Sequence, residues 1–492
     1  MARGNIIAKL KNIAAVLASF VIISGCTDSI SAEQDASTKE EQSTNNSAAP
    51  LKKSTISIRL QSQFSPLFIA DAPRGGGHPI GGPAYNFVTL ANDMLRPLNA
   101  EITFHVTGAV SDWDTEHVQS PIVAFPDDFP TIHQAVASGS NAGGLDMGIS
   151  LANIHGHPFG DLLVAGLPFG LEPDEFIAFL YEGGGLSLQQ ELYDEKFGGN
   201  VIVLPVAITP TQGGGWFSEP LPDPDTDENL TPQAAMKALC EQPIIVRWPE
   251  PGASIWSKAC ADVGVATDSI GAEARCADVT RPCSSNDNPI TNDVESLTFG
   301  GFVFGGLPHK LALLNQIDAY ELNTAYSDVL MMKIATDQAG VANADADLTN
   351  VIEKAPYLYG STWHQPHSYV ELLINRSFWK SLSEAQRNAI KGAAQASVTQ
   401  NLAIMLDKQD EGIAILKQNG AIVLRWPNGL LDLLRAASHD YLDQQADQLT
   451  SEGDNSYERV LQSQRDYIAT HQTYNDFGDI NQGRSGAPTS PQ

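Results

Sequence analysis

Little in this chain suits nucleic-acid binding, membrane spanning or the common catalytic signatures. It has 29 basic residues against 58 acidic ones, a net charge of −29. Neutralising phosphates needs clustered Lys and Arg, and no such cluster follows the first 25 residues, so nucleic acid is excluded as a partner. A transmembrane helix needs about 20 apolar residues. The apolar run at 13–23 is too short, and no later stretch is long enough. His155-Gly156-His157 and His364-Gln365-Pro366-His367 both lack the H-E-x-x-H arrangement of a metal hydrolase, and Pro366 opposes a helix there. The G-x-S-x-G elbow is absent, and Gly139-Ser140-Asn141 reads as a loop. No glycine run follows a strand and opens a helix at phosphate-binding spacing. What remains is a binding protein rather than an enzyme, with no organic cofactor.

What is present starts at the N-terminus. Arg3, Lys9 and Lys11 precede the apolar run, no acid occurs before residue 25, and Ile23-Ser24-Gly25-Cys26 closes the segment. This predicts a lipoprotein signal peptide over 1–25, with Cys26 as the acylated mature N-terminus. Each buried methylene of the acyl chains contributes about 0.8 kcal/mol, so several chains make a durable anchor. The expected location is the periplasm, held to a membrane through that lipid. Residues 26–53 are Ser, Thr, Asn, Gln, Asp and Glu with little apolar content, and 475–492 is similar; both read as unstructured. The acidity favours solubility.

Cys240, Cys260, Cys276 and Cys283 remain. An even count in an exported protein predicts two disulfides with three connectivities open. Because all four fall in one region, Cys240 with Cys260 and Cys276 with Cys283 is the favoured set. A zinc site would want paired C-x-x-C spacing, which is missing.

The body reads as α/β. A strand at 56–60, a helix at 86–95 and a strand at 102–106 form a βαβ opening. Helices follow at 172–181 and 186–193, separated by Gly183-Gly184-Gly185. Apolar strands follow at 201–205 and 243–246. Ser383-Glu384-Ala385-Gln386 is a capping box opening a long helix whose apolar face is Ile390, Ala394, Val398, Leu402 and Met405. Asn419-Gly420 stops it before a strand at 421–426. Parallel sheets covered by helices are expected.

Six motifs occur in order: Ala165-Gly166-Leu167-Pro168-Phe169-Gly170, Leu180-Tyr181-Glu182-Gly183-Gly184-Gly185, Gln212-Gly213-Gly214-Gly215-Trp216-Phe217, Arg247-Trp248-Pro249-Glu250-Pro251-Gly252, Ile317-Asp318-Ala319-Tyr320-Glu321 and Trp363-His364-Gln365-Pro366. With them, residues 54–450 resemble the solute-binding proteins of tripartite ATP-independent periplasmic (TRAP) transporters, nearest the DctP-type branch that binds 2-oxo and 2-hydroxy monocarboxylates with a metal ion. The resemblance implies a two-lobed fold closing on its ligand. Lobe one is expected over 54–199 and 323–375, and lobe two over 200–322 and 376–474. It implies two membrane subunits as partners and leaves a homodimer open. A ligand sensor or scaffold without a transporter is the alternative, which the presence of neighbouring membrane-subunit genes would discriminate.

The resemblance also implies the site. Arg247 matches the arginine that grips the substrate carboxylate, a task its planar fork suits. Its place after an apolar strand and before a helix from Ala253 also favours an anion. Gln212, Glu321 and the backbone carbonyl of Leu322 match ligands of the cation, with Gln365 added to them. An all-oxygen set suits Na⁺ or Ca²⁺. Tyr181 and Trp363 are candidates for the cleft wall or the core. Leu322 stands where the branch carries tryptophan, Gly214 replaces a larger residue, and 75–83 and 264–298 look inserted. The lost indole implies an acid larger than pyruvate or lactate.

Overall fold

The computed structural model describes residues 56–62, 83–106, 131–241, 246–247, 251–265, 309, 312, 318–321, 324–338, 344–360 and 362–478. The chain divides into two units, Met1–Lys52 and Lys53–Gln492. The first, with the expected signal peptide and Cys26, lies outside the described residues. So do Leu322, Cys276, Cys283, residues 75–82 and 266–298, and the side chain of Arg247. No helix among the described residues is long and apolar enough to cross a membrane.

Within the second unit, β1 (Ile56–Ser62), α1 (Pro83–Leu95), β2 (Ala100–Val106), α2 (Ile132–Ser138), β3 (Met147–Ser150), α3 (Phe159–Val164), α4 (Pro173–Tyr181), α5 (Gly185–Lys196) and β4 (Val201–Ile208) come first. The chain then crosses through 209–215 into β5 (Trp216–Phe217), α6 (Pro232–Glu241), β6 (Val246–Arg247), α7 (Gly252–Asp262), β7 (Ala319–Tyr320), α8 (Ala325–Gln338), α9 (Ala344–Ile352) and β8 (Tyr357–Gly360). It returns through 362–368 to β9 (Tyr369–Asn375), α10 (Arg376–Ser381), α11 (Glu384–Gln418), β10 (Ile422–Arg425), α12 (Asn428–Ser451) and α13 (Ser456–Gly478). Among the described residues two five-stranded sheets result, ordered β2-β1-β3-β9-β4 and β10-β8-β5-β7-β6. This is the α/β, two-lobed architecture expected.

The sheets are mixed rather than parallel. In the first, β1, β2, β3 and β4 share one direction and β9 opposes them. In the second, β6, β7, β8 and β10 share one direction and β5 opposes them. The reason is the crossings. β5 and β9 are the strands that arrive through a short connection from the end where the other lobe's strand finished. Each must therefore run away from that end, against its neighbours.

The expected lobe boundaries need correction. β4 belongs to the first sheet although the boundary at 200 assigns it to lobe two, and β8 belongs to the second sheet although it falls within 323–375. Residues 376–474 do not form one lobe either. Ile390, Ala393 and Ala394 of α11 pack in the first lobe, whereas Leu416 at its far end joins Trp216 and Tyr320 in the second. Helix α11 has 35 residues, about 52 Å at 1.5 Å per residue, long enough to serve both. Helix α12 runs back: Leu430, Leu434 and Ala437 pack in the second lobe and Leu442 and Ala446 in the first, where α13 adds Tyr457, Val460 and Leu461. The Ser383–Gln386 capping box is formed, with reciprocal bonds of 2.9 and 3.3 Å.

Cys240 at the end of α6 and Cys260 in α7 form a disulfide, their Cα atoms 5.6 Å apart. It ties the two helices beside the second lobe's core.

Candidate functional site

The strand directions focus the chemistry. The carboxyl ends of β6, β7, β8 and β10 lie together with the amino end of β5, and at this end of the second sheet the chain supplies Arg247, Glu321, Trp363 and His364. The carboxyl end of β4 and the amino end of β9 provide Thr209 and Ser368 for the first sheet. Ligands of open α/β sheets favour such ends, and here both crossings join them.

The crossings are stapled to each other. Thr209 N–H donates to the Ser368 carbonyl at 2.9 Å, and Ser368 N–H donates to Thr209 Oγ1 at 2.8 Å. Gln212 Nε2 donates to Ser368 Oγ at 2.5 Å, and Gln365 Nε2 donates to the same oxygen at 2.7 Å. Gln212 is buried, and its Oε1 has no hydrogen-bond partner among the described residues. That oxygen is what a hard cation would seek, since an unmet buried acceptor costs about 1–3 kcal/mol.

Glu321 follows Tyr320, the register partner of Arg247. It is buried, with His364 Nε2 3.5 Å from its Oε2. His364 Nδ1 lies 3.3 Å from Thr362 Oγ1. Behind Glu321, the Tyr320 hydroxyl meets His309 Nδ1 at 3.0 Å, and Trp216 Nε1 donates to Asp328 Oδ2 at 2.8 Å. Burial raises the Asp328 carboxyl above its ordinary range, opposed by the neighbouring His309, 3.6 Å away, and by the bond from Trp216. Helix α7 starts at Gly252, one residue before expectation.

The remaining candidates divide. Trp363 is a core residue, stacked near Phe169 and edge-on to Trp426. Its carbonyl accepts from Phe169 N–H at 2.8 Å. Tyr181 is half-buried at the end of α4, and burial pushes its hydroxyl up to about 12. Gly214 has a packing reason: a Cβ there would lie 2.6 Å from Trp426 Nε1, whose N–H donates to the Gly214 carbonyl. Trp426 fills the space that a side chain at this position would need.

The first lobe grips the second crossing through the loop 165–171. Phe169 has φ +58, a left-handed conformation costly for a bulky residue. Its ring lies between Trp363 and the Arg435 guanidinium of α12, 4.5 Å from the ring centre. His367 Nδ1 donates to the Leu171 carbonyl at 3.2 Å, and burial drives the imidazole pKa down to about 3 despite that bond. Gly166, at φ +68, leaves room for the ring: a Cβ would stand 2.6 Å from His367 Cε1. The His157 ring packs against Phe159 and plays no part here.

Thr209, Thr362 and Ser368 escaped the sequence reading. Ser368 follows directly on His364-Gln365-Pro366-His367, but adjacency carried no sign that a second crossing would lie beside it. Among the described residues no group of three His, Cys, Asp or Glu could hold a metal. Gln212 Oε1 and the Glu321 carboxylate are oxygen donors, the kind that Na⁺ or Ca²⁺ prefers.

No protein-family model matches the chain. A monocarboxylate 2-oxoacid-binding periplasmic protein of Nostoc sp. PCC 7120 is 43% identical over 53 residues, 11% of this chain and 14% of that relative's length. A TRAP periplasmic solute-binding protein from Colwellia psychrerythraea, solved with calcium and pyruvate, superposes with TM-score 0.56 at 17% identity over 86% of this chain and 98% of its own. A TRAP solute-binding protein from Bordetella bronchiseptica RB50, with copurified calcium and picolinate, gives 0.56 at 15% over 87% and 96%. One from Pseudoalteromonas atlantica T6c, with sodium and pyruvate, gives 0.55 at 17% over 86% and 97%. The chain has the two-lobed fold of the TRAP solute-binding proteins.

Proposed function

We propose that this chain is the extracytoplasmic receptor of a TRAP uptake system, capturing a small 2-oxo or 2-hydroxy carboxylate together with a hard cation. The observation that carries the proposal is the buried, unmatched Gln212 Oε1 on a crossing that shares its end of the sheet with Glu321 and Arg247. In this reading the Arg247 guanidinium takes the carboxylate by two parallel bonds. Gln212 Oε1, the Glu321 carboxylate, Gln365 and the Leu322 carbonyl hold the cation, which draws in the ligand's second oxygen. The bound carboxylates and cations of the Colwellia, Bordetella and Pseudoalteromonas proteins support it. The cross-link between Cys240 and Cys260 suits an oxidising compartment, and Cys26 would supply the lipid anchor. The membrane partners are the two TRAP subunits.

Mass spectrometry of small molecules released by denaturing the purified protein, with metal analysis alongside, tests the proposal. A stoichiometric 2-oxo or 2-hydroxy acid with calcium or sodium is expected. A sugar, a peptide or an amine in its place would overturn it. If the missing indole at Leu322 leaves room, affinity rises beyond three carbons along a series of 2-oxo acids and Leu322→Trp reverses the order; pyruvate binding tightest in the wild type contradicts that part alone.

A further inference from the structure

We propose that Ser368 is the positioning residue that turns the carboxamides of Gln212 and Gln365 so that their oxygens face the cation; this rests on the cation-assisted reading of the site. A hydroxyl has one hydrogen to give and two lone pairs with which to accept. Ser368 Oγ has two carboxamides within hydrogen-bond reach, Gln212 Nε2 at 2.5 Å and Gln365 Nε2 at 2.7 Å. Its single hydrogen can serve only one glutamine oxygen, so at least one side chain must offer its NH₂. In the structure both do, filling both lone pairs. A carboxamide that gives its nitrogen to Ser368 turns its oxygen elsewhere. For Gln212 that oxygen is buried and without a hydrogen-bond partner among the described residues.

Ser368 is itself fixed. Its N–H and carbonyl are both bonded to Thr209 on the other crossing, at 2.8 and 2.9 Å. The hydroxyl is therefore held on one crossing while it orients a glutamine from each. Turning either amide over would aim an NH₂ group at the cation, and a hydroxyl with a single hydrogen excludes the arrangement in which both are turned. Ser368 need not touch the cation to do this. Outer-shell partners of this kind set metal affinity by about 10–100-fold.

The test uses the full chain with Ser368→Ala, the near-isosteric Ser368→Cys, and Ser368→Thr, which keeps the hydroxyl. Calcium alone is titrated by calorimetry, and the side-chain NH₂ resonances of Gln212 and Gln365 are followed by NMR in metal-free protein. Ser368→Ala and Ser368→Cys should each weaken calcium by about 10–100-fold, and Ser368→Thr should restore most of it. The two NH₂ resonances should shift away from their hydrogen-bonded positions in Ser368→Ala but not in Ser368→Thr. Calcium affinity in the alanine and cysteine variants equal to wild type overturns the role of Ser368 alone. So does a threonine variant as weak as alanine. A wild type that binds its carboxylate yet takes up neither calcium nor sodium overturns the cation reading and this proposal with it.

Discussion

Gln189 in the first lobe and Gln212 on the first crossing present the same carboxamide in two buried settings, at 0% and 6% exposure. Both ends of Gln189 are matched: Nε2 donates to Glu371 Oε2 at 2.7 Å, and Oε1 accepts from the Tyr369 hydroxyl at 3.0 Å. Glu371 also meets His133 Nε2 at 2.6 Å and accepts from the Tyr193 hydroxyl. This network lies inside the lobe. Gln212 has a matched nitrogen and an unmatched oxygen. The Gln189 amide is satisfied within its lobe, whereas Gln212 Oε1, like Gln464 Oε1 in α13, is a buried acceptor left open, and of the two it is Gln212 that stands where the lobes meet.

The largest effect that would sharpen this contrast is on stability, in the network around Glu371. Glu371→Ala leaves His133, Gln189 and Tyr193 without their common acceptor, and should lower unfolding free energy by about 3–5 kcal/mol in urea melts. A loss below about 1 kcal/mol would mean that the network relaxes or hydrates, and would erase the contrast.

Next comes binding at the open site. Arg247→Ala should cost about 2–5 kcal/mol of carboxylate affinity by calorimetry, with the melting temperature of ligand-free protein unchanged. Arg247→Lys should not rescue it, because an ammonium cannot reproduce the fork. Equal ligand-induced thermal shifts in wild type and both variants would remove Arg247 from the site.

The smallest effect is the most diagnostic. Gln189→Met should cost about 1–3 kcal/mol of stability, since Glu371 and Tyr369 lose a partner. Gln212→Met should change metal-free stability by less than about 1 kcal/mol, because loss of its bond to Ser368 is offset by removal of an unmet acceptor, while weakening cation uptake. If both methionine variants destabilise the metal-free protein alike, the distinction between the two glutamines fails.

Much of this was legible in the sequence where a signal is local. The βαβ opening, the Ser383–Gln386 cap and the stop at Asn419-Gly420 each depend on a few adjacent residues, and each formed. Membership of a sheet is not local. The apolar run of β4 marks a strand but not which sheet it joins, so the boundary at 200 misplaced it. The apolar residues of α11 and α12 say that a face is buried without saying that its two ends are buried in different lobes. At the site, Gln212, Glu321 and Arg247 emerged from motifs, and the structure brings their backbone segments to one end of the second sheet. Trp363 could not be told from a wall residue because a buried indole looks the same in sequence either way. Thr209 and Ser368 matter through contacts 159 residues apart, which no motif reports.

The central claim is that carboxylate and cation are held together at the crossings. Calorimetry of one 2-oxo acid into metal-stripped protein, and into the same protein with saturating calcium or sodium, tests it most directly. Linkage requires that the cation tighten the acid and that the acid tighten the cation by the same factor. A reciprocal gain is the predicted result, lost in Gln212→Met. Acid affinity that is identical in metal-free, sodium and calcium buffers would contradict it.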